Sequence, residues 1–280
     1  MSLPLPRSLS PTKVSTFRNC ALAFRFSAVE ELEEPGTVAT TRGRLVHRAL
    51  ERLFWSTPPG RRDRARAEVC LDDAWDDLAE EVATLELTGP AHQRLRAETE
   101  LLVDGYYALE DPDLVRPVGV ELTLETAFHG AVLRGIIDRL DVTANGDLVV
   151  TDYKTGRAPR SAFERSSLTG VTFYALLCEA VLGRRPRVVR LLYLGEPVVI
   201  TAEPTPEVLD GLRRQLDAVW SAVERGCATE DFRPRQSGLC RSCAWQPYCP
   251  AFGGDPDGAR VAFPRRRHPA AHRPLAVSLA

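Results

Sequence analysis

Apolar residues recur along the chain with two different periods. Up to about residue 110 the spacing is helical. Ser10-Pro11 reads as an N-cap with proline at the first helical position, and Val14, Phe17, Cys20, Ala21 and Phe24 fall on one face of the helix it opens. After a Gly/Pro break at "EEPGT", a second helix through "RGRLVHRALERLFW" carries a stripe of Val46, Ala49, Leu50, Leu53 and Phe54. "STPPGRRDR" is a loop, and residues 64–86 and 91–109 predict two further helices, so 61–110 reads as a helical insertion.

From Val118 the period becomes two. "VGVELTLETAF", "AVLRGIIDRLDV" and "GDLVVTDYK" predict three strands, with the turn signal Asn145-Gly146 between the last two. A helix follows over 167–182 and stops at Gly183; "RVVRLLYLG" and "PVVIT" predict a hairpin; Thr205-Pro206 opens a long amphipathic helix to about Arg225. The pattern predicts an α/β fold: a mixed sheet flanked by helices, in one domain over 10–253. Residues 1–9 and the Pro/Gly/Arg-rich 254–280 are expected to be disordered tails, the second basic.

Composition narrows this picture. At 280 residues and 44% hydrophobic the chain can bury a large core. Its net charge of −2 gives no global attraction to nucleic acid, so an anionic ligand needs a local patch. No stretch approaches the apolar length of a membrane span, and "MSLPLPRSLSPTK" lacks the apolar core of a signal peptide. A cytoplasmic location is the default expectation. In that reducing setting seven cysteines read as metal ligands or buried thiols rather than disulfides.

Of 36 cationic side chains, only Lys13 and Lys154 are lysines. Lys154 sits in "TDYKTG", two residues after Asp152 and therefore on the same strand face. A two-residue turn at Asn145-Gly146 would set Asp138 beside Tyr153, and a small change of loop would set it opposite Asp152. Either way two carboxylates meet near an ammonium, and Glu121 on the preceding strand can point the same way. Converging carboxylates repel unless a cation joins them, and oxygen ligands suit Mg²⁺ or Mn²⁺. Lysine, unlike arginine, can exchange a proton once desolvation or a neighbouring cation lowers its pKa. This position therefore calls for lysine chemistry. The competing reading is a surface hairpin with an ordinary Asp-Lys pair.

"GIIDRLDV…LVVTDYKTG", with "GRLVH" upstream, resembles the core motifs of the RecB-like nucleases of the PD-(D/E)XK superfamily, over residues 10 to about 252. The resemblance implies a restriction-endonuclease-like fold. It also implies a metal held by Asp138, Asp152, the Tyr153 carbonyl and His47, with Lys154 serving the nucleophilic water and Glu121 at a further acidic position. Taken alone, His47 borders an apolar stripe and reads as a packed residue. Tyr174 and Arg157 are candidates for contact with DNA. The family's usual glutamine, four residues before a tyrosine, is replaced here by Gly170, which keeps open a DNA-binding scaffold without catalysis.

Cys240, Cys243 and Cys249 form C-x2-C-x5-C, an incomplete tetrahedral set. Cys70, Cys178 and Cys227 read as ordinary thiols, which leaves Cys20 as the best fourth ligand. These four resemble the ligands of a 4Fe–4S cluster in the iron–sulfur branch of the family, which would clasp the first helix to the chain's end. A four-cysteine zinc site uses the same residues. Trp245 and Tyr248, inside the cysteine loop, would either shield such a centre or stack on unpaired bases.

The expected activity is metal-dependent exonuclease action on DNA, single-stranded or at an end, in repair or recombination. No phosphate-binding G-x4-GK[ST] loop occurs, so any helicase would be a separate partner. A CRISPR-associated RecB-like nuclease shares the same motifs.

Overall fold

A computed structural model describes residues 2–159 and 164–266, with 164–167 as main chain only. Where one domain is expected, the chain divides into two compact units, each assembled from separate stretches.

The larger unit contains Gly36–Leu124 and Ile136–Thr205. The strands are β1 (Pro117–Phe128), β2 (Ala131–Val142), β3 (Leu148–Lys154), β4 (Val188–Tyr193) and β5 (Val198–Ala202). They form one sheet in the order β1-β2-β3-β4-β5. β3 is antiparallel to β2 and parallel to β4, and β4 is antiparallel to β5, so the sheet is mixed. The parallel step needs a crossover, supplied by a helix over Glu164–Leu182 that packs on β3, β4 and β5.

The expected helices precede the sheet, and three of them lie in this unit. The helices of the described chain are α1 (Pro11–Asn19), α2 (Ala21–Phe24), α3 (Val38–Ser56), α4 (Arg64–Asp77), α5 (Ala79–Ala83), α6 (Gly89–Tyr107), α7 (the crossover), α8 (Pro206–Thr229) and α9 (Pro256–Ala262). Thr37 caps α3 in a reciprocal capping box with Thr40. The α3 stripe Leu45, Ala49, Leu50, Leu53 and Phe54 packs with Leu95, Leu102 and Tyr106 of α6, and with Tyr153, Leu192 and Leu194 from one face of the sheet. The insertion is thus part of the core. A close approach makes this possible: a Cβ on Gly105 would lie 1.8 Å from the Leu194 carbonyl oxygen. Only glycine lets α6 sit this close to the chain leaving β4.

The β2–β3 register differs by one residue from that of a two-residue turn. Arg139 faces Thr151 and Val142 faces Leu148. The connection is therefore Thr143–Asp147, in which the Gly146 amide donates to the Thr143 carbonyl and Gly146 takes a φ of 83°. Continued by one residue, this register sets Asp138 opposite Asp152, the second of the two pairings that the sequence allows. The first insertion helix also breaks, at Leu78, into α4 and α5.

The smaller unit contains the chain up to Pro35, Glu125–Gly135 and the described chain from Pro206. The single first helix expected from the sequence breaks at Cys20, whose backbone is extended (φ −161°, ψ 112°), giving α1 and α2. The expected loose start of the chain is corrected at its inner end. Leu9 is fully buried, its N–H donates to the Val132 carbonyl, and its own carbonyl accepts from the Arg134 amide. The expected disordered tail is corrected over 254–266. Asp255 caps α9, and Arg260 of α9 pairs with buried Glu30 across 2.9 Å. Residues 267–280 lie outside the described chain.

Candidate active site

The sheet alternation expected from the sequence places Asp152 and Lys154 on one face of β3 and Tyr153 on the other. Beyond the Arg139–Thr151 pair, side chains meet the Tyr153 peptide. Its N–H donates to Asp138 Oδ2 at 2.7 Å, and its carbonyl lies 3.1 Å from His47 Nε2. His47 reaches this point from beside the buried stripe of α3. Its other nitrogen, Nδ1, is 3.5 Å from Asp138 Oδ1 and 4.0 Å from Glu121 Oε1. One ligand atom from each of His47, Glu121 and Asp138 lies within 4.8 Å of the others.

Glu121 enters this group through unusual backbone. Its φ is 46°, inside β1, a left-handed conformation uncommon for a residue with a Cβ. Such outliers cluster where structure enforces a functional geometry.

Electrostatics follow from the crowding. Burial alone would lower the His47 pKa, but Asp138, Asp152 and Glu121 outweigh it and raise the imidazole to about 9. Burial and the Asp138 charge push Glu121 up to about 7. Burial and Asp138 likewise raise Asp152 to about 6, against the pull of Lys154. Lys154 Nζ is 2.5 Å from Asp152 Oδ2. The lysine pKa, expected from the sequence to fall, instead rises. Burial does act downward, yet Asp152 and Asp138 together outweigh it. Lys154 is thus held as an ammonium by its carboxylate neighbours.

The structure therefore brings His47, Glu121, Asp138 and the Tyr153 carbonyl together. It sets Asp152 beside them, paired with Lys154 and outside the close trio. Tyr174 on α7 is half-buried, and burial together with the charges of Asp152, Asp138 and Glu121 raises its phenol. Gly170 lies one turn earlier on α7. Arg157 is exposed on the segment after β3.

A family model described as the PD-(D/E)XK nuclease superfamily matches residues 8–250. The chain belongs to the PD-(D/E)XK nuclease superfamily. It is 29% identical over 169 residues to an ATP-dependent helicase/deoxyribonuclease subunit of Streptococcus equi subsp. zooepidemicus, covering 54% of this chain and 14% of that one. It is also 29% identical over 136 residues to the Gene 69 protein of Mycobacterium phage D29, covering 48% of each. The chain thus spans about half or less of the curated relatives it matches. A crystal structure from Eubacterium rectale, named as an exonuclease, aligns with a TM-score of 0.49 at 13% identity, over 85% of this chain and 87% of that one.

Nucleases of the PD-(D/E)XK superfamily use divalent metals, and the His47, Glu121 and Asp138 group could hold one, with two hard carboxylates beside one borderline imidazole. The charges that retain a proton on His47 would equally favour a divalent cation there. No helix among the described residues is long and apolar enough to cross a membrane.

The four cysteines singled out in the sequence also meet, within the smaller unit. Cys20, Cys240, Cys243 and Cys249 line one cavity of about 280 Å³. No three of their sulfurs lie mutually within 4.8 Å. Trp245 is buried there. Its ring lies 5.2 Å from that of Phe26 and 4.5 Å from that of Phe263, and its Nε1 donates to Glu34 at 2.7 Å. That placement fits shielding rather than base stacking. Cys70, Cys178 and Cys227 are buried, and burial raises each thiol, that of Cys178 to about 12.

Sequence reading missed Arg139 and its partners, on the opposite side of β2 from Asp138. The available signal was Arg139 and Asp141 two apart in an otherwise apolar strand, "GIIDRLDV".

Proposed function

We propose that this nuclease is a metal-dependent deoxyribonuclease that hydrolyses phosphodiester bonds at DNA ends. The observation that carries the reading is the convergence of His47, Glu121, Asp138 and the Tyr153 carbonyl, with the Asp152–Lys154 pair beside them. His47, Asp138, the Tyr153 carbonyl and Asp152 would hold Mg²⁺ or Mn²⁺, with Glu121 as a further carboxylate. When bound, the ion supplies a polarised water and charge stabilisation for phosphodiester hydrolysis. The chain's own residues do the rest. Lys154, held by Asp152, orients the attacking water and offsets charge developing on the phosphate oxygens. Tyr174 and Arg157 would meet the DNA strand.

The preference for DNA rests on family membership and on a relative whose name includes deoxyribonuclease. The same name includes helicase, which supports a separate motor as partner. The four-cysteine cavity supports a structural 4Fe–4S cluster. A tetrahedral zinc centre would use the same four thiolates.

The test is degradation of end-labelled linear DNA, and of the same DNA circularised, with Mg²⁺ or Mn²⁺. The expected result is loss of linear DNA from its ends, abolished by chelation and by Asp138→Asn. Equal cutting of circles, or cutting in excess chelator, would overturn the reading.

A further inference from the structure

Behind the carboxylate face of the sheet, within the larger unit, lies a charge network that the reaction chemistry does not use. Arg139 is 0% exposed, a rare state for arginine unless its charge is paired. It donates to Tyr153 Oη at 2.8 Å, to Glu110 Oε1 at 2.5 Å and to Asp141 Oδ1 at 2.8 Å. Its guanidinium carbon stands 4.6 Å above the Phe54 ring of α3. Arg190 on β4 completes the set, 2.9 Å from Glu110 Oε2 and 3.2 Å from Asp141 Oδ2. Two guanidinium groups thus face two carboxylates, and the network is neutral as a whole.

A buried, balanced network can serve the fold alone. Here one member reaches the candidate site. Tyr153 has its phenol fixed by Arg139, while its ring meets the His47 ring edge-on, with centroids 5.9 Å apart and planes at 90°. Its main-chain carbonyl meets His47 Nε2, and its amide holds Asp138. One residue therefore connects Arg139 to His47 through both ring and backbone, and to Asp138 through its N–H.

We propose that Arg139, braced by Glu110 next to α6, is a positioning residue for metal binding. Through the Tyr153 phenol it fixes the carbonyl, the His47 ring and the Asp138 carboxylate in their convergent arrangement. The inference rests on the proposed metal site. It assigns a role at that site to the helical insertion, which supplies no ligand but holds Arg139 in place. Groups that orient metal ligands typically change metal affinity by about 10–100-fold when removed.

The decisive variant is Tyr153→Phe, which deletes the phenol oxygen but keeps the ring and the peptide. Arg139→Lys is the second, since one ammonium nitrogen cannot replace contacts made from two guanidinium nitrogens, Nη1 to Glu110 and Tyr153 and Nε to Asp141. Mn²⁺ binding to the purified, folded proteins is measured by calorimetric titration. DNA cleavage is followed as a function of Mn²⁺ concentration. The expected result is about ten-fold weaker Mn²⁺ binding in both variants, with kcat recovered at saturating Mn²⁺. If Arg139→Lys does not fold, Tyr153→Phe decides alone. A lowered melting temperature with unchanged Mn²⁺ affinity in Tyr153→Phe would make the network purely structural and overturn the inference. Asp138→Asn separates the two levels. If it binds Mn²⁺ as tightly as the parent, the metal site itself is misplaced. If it loses Mn²⁺ while Tyr153→Phe keeps it, only the positioning role fails.

Discussion

The Tyr153 amide donates to the Asp138 carboxylate, 2.7 Å away, at the point where the β2–β3 ladder gives way to side chains. A ladder partner would have consumed both polar groups of that peptide. With a carboxylate and an imidazole as partners instead, the strand end becomes a place where backbone and side-chain donors converge. The site is thus a product of sheet geometry as much as of its acidic residues.

Lys154 tests the chemistry. Lys154→Ala should lower kcat by about 10²-fold or more, the range of a positioned proton-transfer or charge-stabilising group, while Mn²⁺ affinity stays within a few-fold. Lys154→Arg keeps the charge but places a broad planar fork where the compact ammonium sits beside Asp152, so it should restore only part of the activity. The measurement is single-turnover cleavage of end-labelled DNA. Undiminished cutting by Lys154→Ala would remove Lys154 from the mechanism.

Cys20 tests the second centre. Anaerobically purified protein should be brown, with about four irons per chain. Cys20→Ser should lose the visible absorbance and lower the melting temperature, since a ligand from the start of the chain would no longer be tied to Cys240, Cys243 and Cys249. A colourless protein with about one zinc per chain would decide for the four-cysteine zinc centre instead.

Gly105 tests the seating of the insertion. Any Cβ there would meet the Leu194 carbonyl at 1.8 Å, a backbone atom that cannot rotate away. Gly105→Ala should destabilise the protein by about 2 kcal/mol or more, as overpacking does, and lower the melting temperature despite alanine's better helix propensity. A melting temperature equal to the parent's would show that α6 can retreat freely from Leu194.

Much of this was legible in the sequence because periodicity survives folding. The period-two stretches became β1 to β5, and the i, i+2 rule put Asp152 and Lys154 on one face. The loop was less legible. Asn145-Gly146 is a strong turn signal, yet the Thr143–Asp147 loop around it shifted the register by one residue. Glu121 depended on a left-handed backbone that no propensity reveals. The Cys20 break in the first helix was hidden because Ala21 and Phe24 continue the apolar face. Arg139 was invisible for another reason: its partners Glu110 and Tyr153, and Arg190 beyond them, come from separate elements, and only the fold brings them together.

The pKa values give the site a stability signature. His47 is raised from an ordinary 6.5 to about 9, Glu121 from 4.5 to about 7 and Asp152 from 3.8 to about 6. In each case the folded state holds the proton more tightly than the unfolded chain. Such a group contributes stability that is complete below its unfolded pKa and is lost as pH rises through its folded pKa. For His47 the loss therefore falls between pH 6.5 and about 9, where Asp138, Asp152 and Glu121 lose the cation that faces them. In chelator, the melting temperature should drop across that window, and less so in His47→Gln. A divalent ion reverses the sign, because His47 must be neutral to ligate. Mn²⁺ should accordingly stabilise the protein more at about pH 8.5 than at about pH 6.5. Thermal melts at both pH values, with chelator and with Mn²⁺, check this; a Mn²⁺-induced shift that is larger at the lower pH would show that His47 does not exchange its proton for the metal.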